Sequence, residues 1–194
     1  MYITAITGAS GAIFGIRLIE ELLRRGLSVA AVITPAARTA LSREVLGDAP
    51  CPEFIGDVLA DDIDRELLKQ YAPGDWTAPF ASGSAAFEAV IVAPCSMKTL
   101  AAAAAGYGDN IVTRAIDVAL KERRRVLLMP RETPLNLIHI ENMARLKRAG
   151  ADILPPSIAF YTKPQTLEDA VNFIVGKALS LLGFNHNLFA PWGE

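Results

Sequence analysis

The sequence predicts an α/β fold with a doubly wound parallel sheet, of the Rossmann or flavodoxin-like type. Short apolar runs alternate with helical patterns along the chain, and this alternation indicates βαβ units. The nearly unbroken apolar run at residues 87–93 is typical of a parallel strand that is buried on both faces. With 194 residues, 52% of them hydrophobic, we expect a single domain that spans residues 1–194.

The first half of the chain contains two predicted strands, at residues 2–6 and 27–33. The first helix runs from the glycine-rich turn to about Arg25, where Gly26 ends it. The second begins at Pro35, a residue that suits the first turn of a helix. Between residues 48 and 84, Pro, Gly and Asp recur, and we expect one helix there, near residues 63–71.

The second half continues the alternation. After the 87–93 strand we expect helices at 98–105 and 109–124, a buried strand at 126–129, and a helix from Thr133 and Pro134 to Arg148. A short strand at 152–154 follows, and a capping box at 166–169 opens a last helix that ends near Leu182. Ligands of such sheets lie beyond the carboxyl ends of the strands, so the residues that follow each strand form the candidate site.

The composition argues against several classes of protein. A formal charge of −2 gives no support for binding of nucleic acid. Cys51 and Cys95 cannot form a disulfide framework, and neither they nor His139 and His186 have metal-ligand spacing, so we expect a cytoplasmic protein without metal. No leader pattern precedes the first strand, and the apolar stretch at 89–106 is interrupted by polar residues and is a poor membrane span.

The turn after the first strand, Gly8-Ala9-Ser10-Gly11, has the character of a ligand site. Its glycines let the backbone approach a phosphate or a flat ring at the amino end of a helix. The alternative is a tight turn that simply requires glycine. An NAD site also needs an acid at the end of the second strand, for the ribose hydroxyls. That place holds Thr34, which favours a mononucleotide.

Two more strand ends carry polar groups. Ser96-Met97-Lys98-Thr99 offers two hydroxyls and an ammonium to a phosphate or flavin, although an ordinary N-cap with a surface lysine would look the same. Arg131 and Glu132 are either a structural ion pair or a phosphate ligand beside a general acid or base.

Seven segments, taken in order, resemble the UbiX/Pad-type flavin prenyltransferases. They are residues 7–12 (TGASGA), 75–84 (DWTAPFASGS), 94–99 (PCSMKT), 117–124 (DVALKERR), 130–134 (PRETP), 160–165 (FYTKPQ) and 191–194 (PWGE). The resemblance implies an enzyme that joins the dimethylallyl group of dimethylallyl monophosphate to N5 and then C6 of reduced FMN. The prenylated FMN would serve a UbiD-type decarboxylase. The family implies no metal and a homo-dodecamer whose sites are built from neighbouring subunits.

The resemblance also implies roles for individual residues. FMN would be held by Gly8, Ala9, Ser10, Thr34, Ser96, Met97, Lys98, Thr99 and Arg131. The prenyl phosphate would be held by Lys121, Tyr161 and Lys177, with Arg114 adding positive charge and Trp192 and loop 81–84 lining the pocket. Glu44 and Glu132 would handle protons, and Ser10 would assist them. The family often has Ser at Thr34 and Arg at Lys177; a lysine offers a point charge where arginine offers a bidentate fork.

Two other functions fit the same architecture. A flavin-dependent decarboxylase of the cysteine-decarboxylase type would need a catalytic histidine near the first helices, and no histidine precedes His139. A non-catalytic FMN carrier would need the flavin residues but not Lys121, Tyr161 or Glu132.

Overall fold

The centre of the molecule, a computed structural model that describes residues 1–193, is a six-stranded parallel sheet with the order β3-β2-β1-β4-β5-β6. The strands are β1 Tyr2–Ile6, β2 Val29–Ile33, β3 Leu68–Tyr71, β4 Ala89–Cys95, β5 Arg125–Pro130 and β6 Asp152–Ile153. The chain winds outwards from β1 to β3, then from β4 to β6, so the β1–β4 pair is the topological switch point. The predicted doubly wound fold is confirmed.

Within residues 1–193, six α-helices cover the sheet on both faces. They are α1 Ala12–Arg24, α2 Pro35–Glu44, α3 Met97–Ala105, α4 Ile111–Lys121, α5 Leu137–Arg148 and α6 Leu167–Leu181. Strand side chains alternate between two apolar cores, as the pleat requires: Val29, Ala31 and Ile33 pack with α1, α2 and α6. Ala30 and Val32 pack with α3, α4 and α5.

One predicted helix is wrong. Near residues 63–71 the structure has β3 instead, which pairs with β2 from Leu68 to Tyr71 at the edge of the sheet. Only Leu68 of this strand is buried, whereas Lys69 is exposed. A short edge strand lacks the apolar run of a central strand, and the ladder with β2 that fixes it is not visible in local sequence.

Two helix starts also differ from the prediction. α5 begins at Leu137, because the Asn136 side chain accepts the His139 N–H at 2.9 Å and caps the helix, while residues 133–136 precede it. α4 begins at Ile111 and ends at Lys121, and its cap is Asn110, which accepts from the N–H groups of Val112 and Thr113. No helix within residues 1–193 is long and apolar enough to cross a membrane.

Candidate functional site

The carboxyl ends of β1, β2, β4 and β5 lie along one edge of the sheet, which we call the carboxyl rim. Because the strands are parallel and adjacent, the turns that follow them are neighbours. The rim carries all nine predicted FMN residues: Gly8, Ala9, Ser10, Thr34, Ser96, Met97, Lys98, Thr99 and Arg131. Glu132 follows on the same edge and is exposed.

Contacts between the turns hold the rim together. Arg131 donates from its backbone N–H to the Cys95 carbonyl at 3.4 Å and from Nε to the Ser10 carbonyl at 3.3 Å. Arg131 therefore spans from β5 across the end of β4 to the turn after β1. Ser10 and Arg131, 121 residues apart in sequence, are in direct contact. Within the described residues, Arg131 makes no ion pair with Glu132, whose Oε1 accepts the Thr133 N–H at 3.1 Å.

Two helices present their amino ends to the rim. Thr34 caps α2 and accepts the Ala37 N–H at 3.3 Å; Ser96 caps α3 and accepts the Thr99 N–H at 3.2 Å. The Ser96 and Thr99 hydroxyls are 3.0 Å apart. Free N–H groups in a first helical turn, together with the helix dipole, favour an anion. The rim therefore offers two places suited to a phosphate, one on each side of the end of β1.

The amino end of α1 is different, because Glu44 fills it. Gly11 adopts a left-handed conformation (φ 95°), and the N–H groups of Gly11 and Ala12 donate to Glu44 Oε2 at 2.8 and 3.2 Å. Glu44 is the last residue of α2, yet this contact brings its carboxylate beside Ser10. Both residues line a pocket of about 760 Å³ between α1, α2 and α6.

Cys95 and Lys98, both in the 94–99 segment, differ in burial. Cys95 is fully buried, and burial raises the pKa of its thiol to about 12, so it is not a nucleophile at neutral pH. Lys98 is 83% exposed and lies 3.7 Å from Asp109, a weak surface pair. Its ammonium is therefore free to move towards a ligand.

The predicted substrate residues do not lie on the rim. Lys121 ends α4, just before β5 begins at Arg125, so it lies at the opposite, amino edge of the sheet. β5 has six residues, and a parallel strand rises roughly 3.3 Å per residue, so about 17 Å of sheet separates Lys121 from Arg131.

Arg114 and Arg124 hold the loop beside Lys121. Arg114 donates from Nε to the Ala81 carbonyl at 3.0 Å and pairs with Asp117 at 2.7 Å, so its charge is already partnered. Arg124 donates to the carbonyls of Gly83 and Ala85 at 2.8 and 2.6 Å. The sequence prediction missed Arg124, because it stands in the charge run 121–125, and only its contacts distinguish it from its exposed neighbours.

The other three predicted substrate residues meet on the outside of α6. The ring of Tyr161 lies 5.0 Å from that of Trp192, centroid to centroid, and 6.0 Å from that of Phe173. Lys177 Nζ lies 5.6 Å from the Phe173 ring. Tyr161, Lys177 and Trp192 all line a pocket of about 860 Å³, formed where the C-terminal tail folds back on α6. One chain thus divides the predicted site among three places: the rim, the Lys121 loop and the α6 pocket.

Known proteins are similar to this chain in both sequence and fold. A family model described as Flavoprotein matches residues 2–179. A flavin prenyltransferase UbiX from Halalkalibacterium halodurans is 45% identical over 194 residues, which cover 100% of this chain and 94% of the relative. The crystal structure of AnUbiX in complex with FMN and dimethylallyl pyrophosphate has a TM-score of 0.88 at 38% identity, covering 100% of this chain and 97% of that one.

A second solved structure, a dodecameric FMN-dependent Ubix-like decarboxylase from Escherichia coli O157:H7, has the same TM-score of 0.88 and 38% identity. It covers 100% of this chain and 99% of its own. The similarity therefore extends over the rim, the Lys121 loop and the α6 pocket alike. The chain belongs to the Flavoprotein family and, within it, to the UbiX flavin prenyltransferases.

Proposed function

We propose that this protein transfers the dimethylallyl group of dimethylallyl monophosphate to N5 and then C6 of reduced FMN, with release of phosphate. The observation that carries the proposal is the carboxyl rim at the topological switch point, where Arg131 donates to the Ser10 carbonyl and the Ser96 N–H donates to Thr7 Oγ1. Membership of the prenyltransferase family gives the reaction, and FMN supplies the nucleophilic ring.

The residues of the rim fit FMN. A Cβ on Gly8 would approach the Ala36 Cβ to 2.4 Å, so glycine here lets α2 close on the turn after β1. The amino ends of α2 and α3, with the hydroxyls of Thr34 and Ser96, suit the ribityl phosphate. Arg131 adds a fixed positive charge that can bind phosphate or the ring oxygens. We propose that the whole chain acts as one flavin-binding domain around this rim.

The prenyl phosphate would be held by Lys121, Tyr161 and Lys177. A monophosphate leaves poorly unless donors stand where negative charge develops, and these three supply two ammonium groups and a phenol. In one chain they are separated from the rim. We therefore propose that neighbouring copies in a dodecamer bring the Lys121 loop and the α6 pocket of other chains against each rim.

Exposed apolar side chains support such an assembly. Phe160 is 82% exposed, Trp192 and Leu167 are each 78% exposed, and Leu137 at the start of α5 is 68% exposed. Trp192 lines the α6 pocket and Phe160 precedes Tyr161 of that pocket, whereas Leu167 lines the pocket beside Ser10 and Glu44 and Leu137 follows Glu132 on the rim. Large apolar side chains that cluster on a surface usually mark an interface.

Proton transfer would fall to Glu44, Glu132 and Ser10. Glu44 lies beside Ser10 through its bonds to Gly11 and Ala12, and this position supports a role at the flavin edge. Glu132 is exposed on the rim, where it can protonate the leaving phosphate or take the proton that C6 loses. Exclusion of water by the prenyl pocket would protect the allylic carbon from hydrolysis.

The product would pass to a UbiD-type decarboxylase. A cytoplasmic location is consistent with the free thiols of Cys51 and Cys95.

The test is an anaerobic assay with purified protein, reduced FMN and dimethylallyl monophosphate. We expect phosphate release, and an extracted flavin that mass spectrometry shows to be heavier by one prenyl unit. Recovery of unmodified FMN would contradict the proposal and favour the FMN carrier. Glu132→Gln should bind FMN normally and turn over slowly; if it loses FMN instead, Glu132 supports Arg131 and has no direct part in proton transfer.

A further inference from the structure

A buried side chain, that of Thr7, joins the loops at the switch point. Thr7 follows β1 directly and is 1% exposed. The last paired residues of the β1–β4 ladder are Ala5 and Val92. Beyond them β1 leads to α1 on one face of the sheet and β4 leads to α3 on the other, so the two chain segments diverge.

The Thr7 hydroxyl bridges the two segments with both of its hydrogen-bonding functions. Oγ1 donates to the Pro94 carbonyl at 2.8 Å and accepts the Ser96 N–H at 2.8 Å. The Thr7 backbone N–H also donates to the Pro94 carbonyl, at 3.2 Å. A hydroxyl can donate and accept at once, and valine, its isostere, can do neither.

This bridge fixes groups on both sides of the rim. On one side, Ser96 caps α3, so its backbone position sets the first turn of that helix and the Ser96 and Thr99 hydroxyls. On the other side, Thr7 leads directly into Gly8, Ala9 and Ser10. Without the hydroxyl, the Ser96 N–H loses its acceptor, and the spacing between the turn after β1 and the start of α3 is no longer set.

We infer that Thr7 is a positioning residue of the flavin site, one that acts through the distance between the 8–10 turn and Ser96. Its burial keeps it from touching the flavin. The inference rests on the proposed function for its ligand, FMN, but it concerns affinity and not the transfer reaction.

The experiment measures FMN affinity in Thr7→Val and Thr7→Ser. Thr7→Val should raise the Kd for FMN at least about tenfold, the range expected when a buried donor loses its partner. Thr7→Ser keeps the hydroxyl and should stay within about threefold of the original protein. Hydrogen exchange of the Ser96 amide should accelerate in Thr7→Val alone, which gives a readout without FMN.

Two control variants separate positioning from general stability. Thr4 lies in β1, is fully buried, and its hydroxyl has no partner within the described residues, so Thr4→Val should leave the Kd unchanged. Ile3→Val removes a buried methylene from the core of β1 and so lowers general stability, and it should also leave the Kd unchanged.

Three results would overturn the inference: a normal Kd in Thr7→Val, a Thr7→Ser variant as weak as Thr7→Val, or an equal loss in Ile3→Val. If the original protein itself binds no FMN, the proposed function fails and the inference fails with it. Normal FMN binding in every variant would contradict the positioning role of Thr7 without contradicting the proposed function.

Discussion

The carboxyl rim and the amino edge of the same sheet differ in how far one chain completes them. On the rim, Arg131 and Thr7 join the ends of β1, β4 and β5, and two of the proposed flavin residues, Ser10 and Arg131, are in direct contact. At the amino edge, Arg114 and Arg124 shape a loop around Lys121, at the opposite end of the strands from the proposed flavin residues. The rim has the features of a complete binding site, whereas the loop around Lys121 has the features of one part of a site.

The two regions differ in what determines their geometry. A rim built by parallel strands follows from the fold of one molecule, because the strand ends must be neighbours. Under the proposed function, the rim meets Lys121 and the α6 pocket only through other copies of the chain. Flavin binding and prenyl transfer should therefore respond to different substitutions.

The largest effect should come from Lys121→Met. We expect turnover to fall by about a hundredfold, because a cation that stabilises developing phosphate charge is removed, while the Kd for FMN stays unchanged. Stopped assays with reduced FMN, together with fluorescence titration of oxidised FMN, measure the two quantities. Arg123→Met, which changes an exposed neighbour, is the matched control. Loss of FMN from Lys121→Met would place that lysine at the flavin and break the comparison.

Arg131→Met should have the opposite effect, because it should weaken the binding of FMN more than that of the prenyl donor. Loss of a charged hydrogen-bond donor should raise the Kd for FMN by roughly twentyfold. At saturating FMN, the KM for dimethylallyl monophosphate should change less than the Kd for FMN does. An unaltered FMN affinity would show that the contact of Arg131 with the Ser10 carbonyl is only structural.

A smaller effect should follow Arg124→Met. This variant frees the Gly83 and Ala85 carbonyls and removes the cation that lies 4.1 Å above the Phe87 ring. Because the loop beside Lys121 loosens, we expect the KM for the prenyl donor to rise by about fivefold, with no change in the Kd for FMN. Arg124→Lys should recover only part of the loss, since a lysine cannot bridge two carbonyls with one planar group. An FMN defect in either variant would contradict the separation of the two edges.

The smallest effect concerns the tail that closes the α6 pocket. His186 lies 3.0 Å from the Ser180 hydroxyl through Nε2 and accepts the Leu188 N–H at Nδ1, 3.3 Å, so the ring is neutral. Burial, then the charge of Arg25, lowers the pKa of His186 below its ordinary value of 6.5, with Lys177 acting in the same direction and Glu21 opposing it.

Because the unfolded tail binds the proton more readily than the folded tail, this contact is intact above the ordinary pKa. It weakens as pH falls below that value. The protection factor of the Leu188 amide in hydrogen exchange should fall between about pH 7 and about pH 5. His186→Phe should abolish this pH dependence. An identical profile in both proteins would remove the role of His186.

The sequence predicted which residues lie on the carboxyl rim, but not where the other proposed site residues lie relative to it. The alternation of strands and helices placed Gly8, Thr34, Ser96 and Arg131 at strand ends, and parallel topology makes strand ends meet. β3 was missed because an edge strand of four residues has little pattern of its own.

The distance between the proposed substrate residues and the rim could not be predicted from the sequence either. Lys121 and Tyr161 carry their chemistry in the sequence, but their distance from the rim depends on tertiary packing. Thr7 and Arg124 could not be singled out, because their roles lie in contacts with carbonyls and an N–H group far away in the chain.

The most direct test of the account is complementation between Arg131→Met and Lys121→Met. Each variant alone should be nearly inactive at limiting FMN. If sites are shared between chains, coexpressed oligomers that contain both should regain activity in roughly a quarter of the sites, where an intact Arg131 meets an intact Lys121 from another copy. Mixed oligomers with no more activity than the separate variants would show that each chain builds its site alone, and would contradict the account.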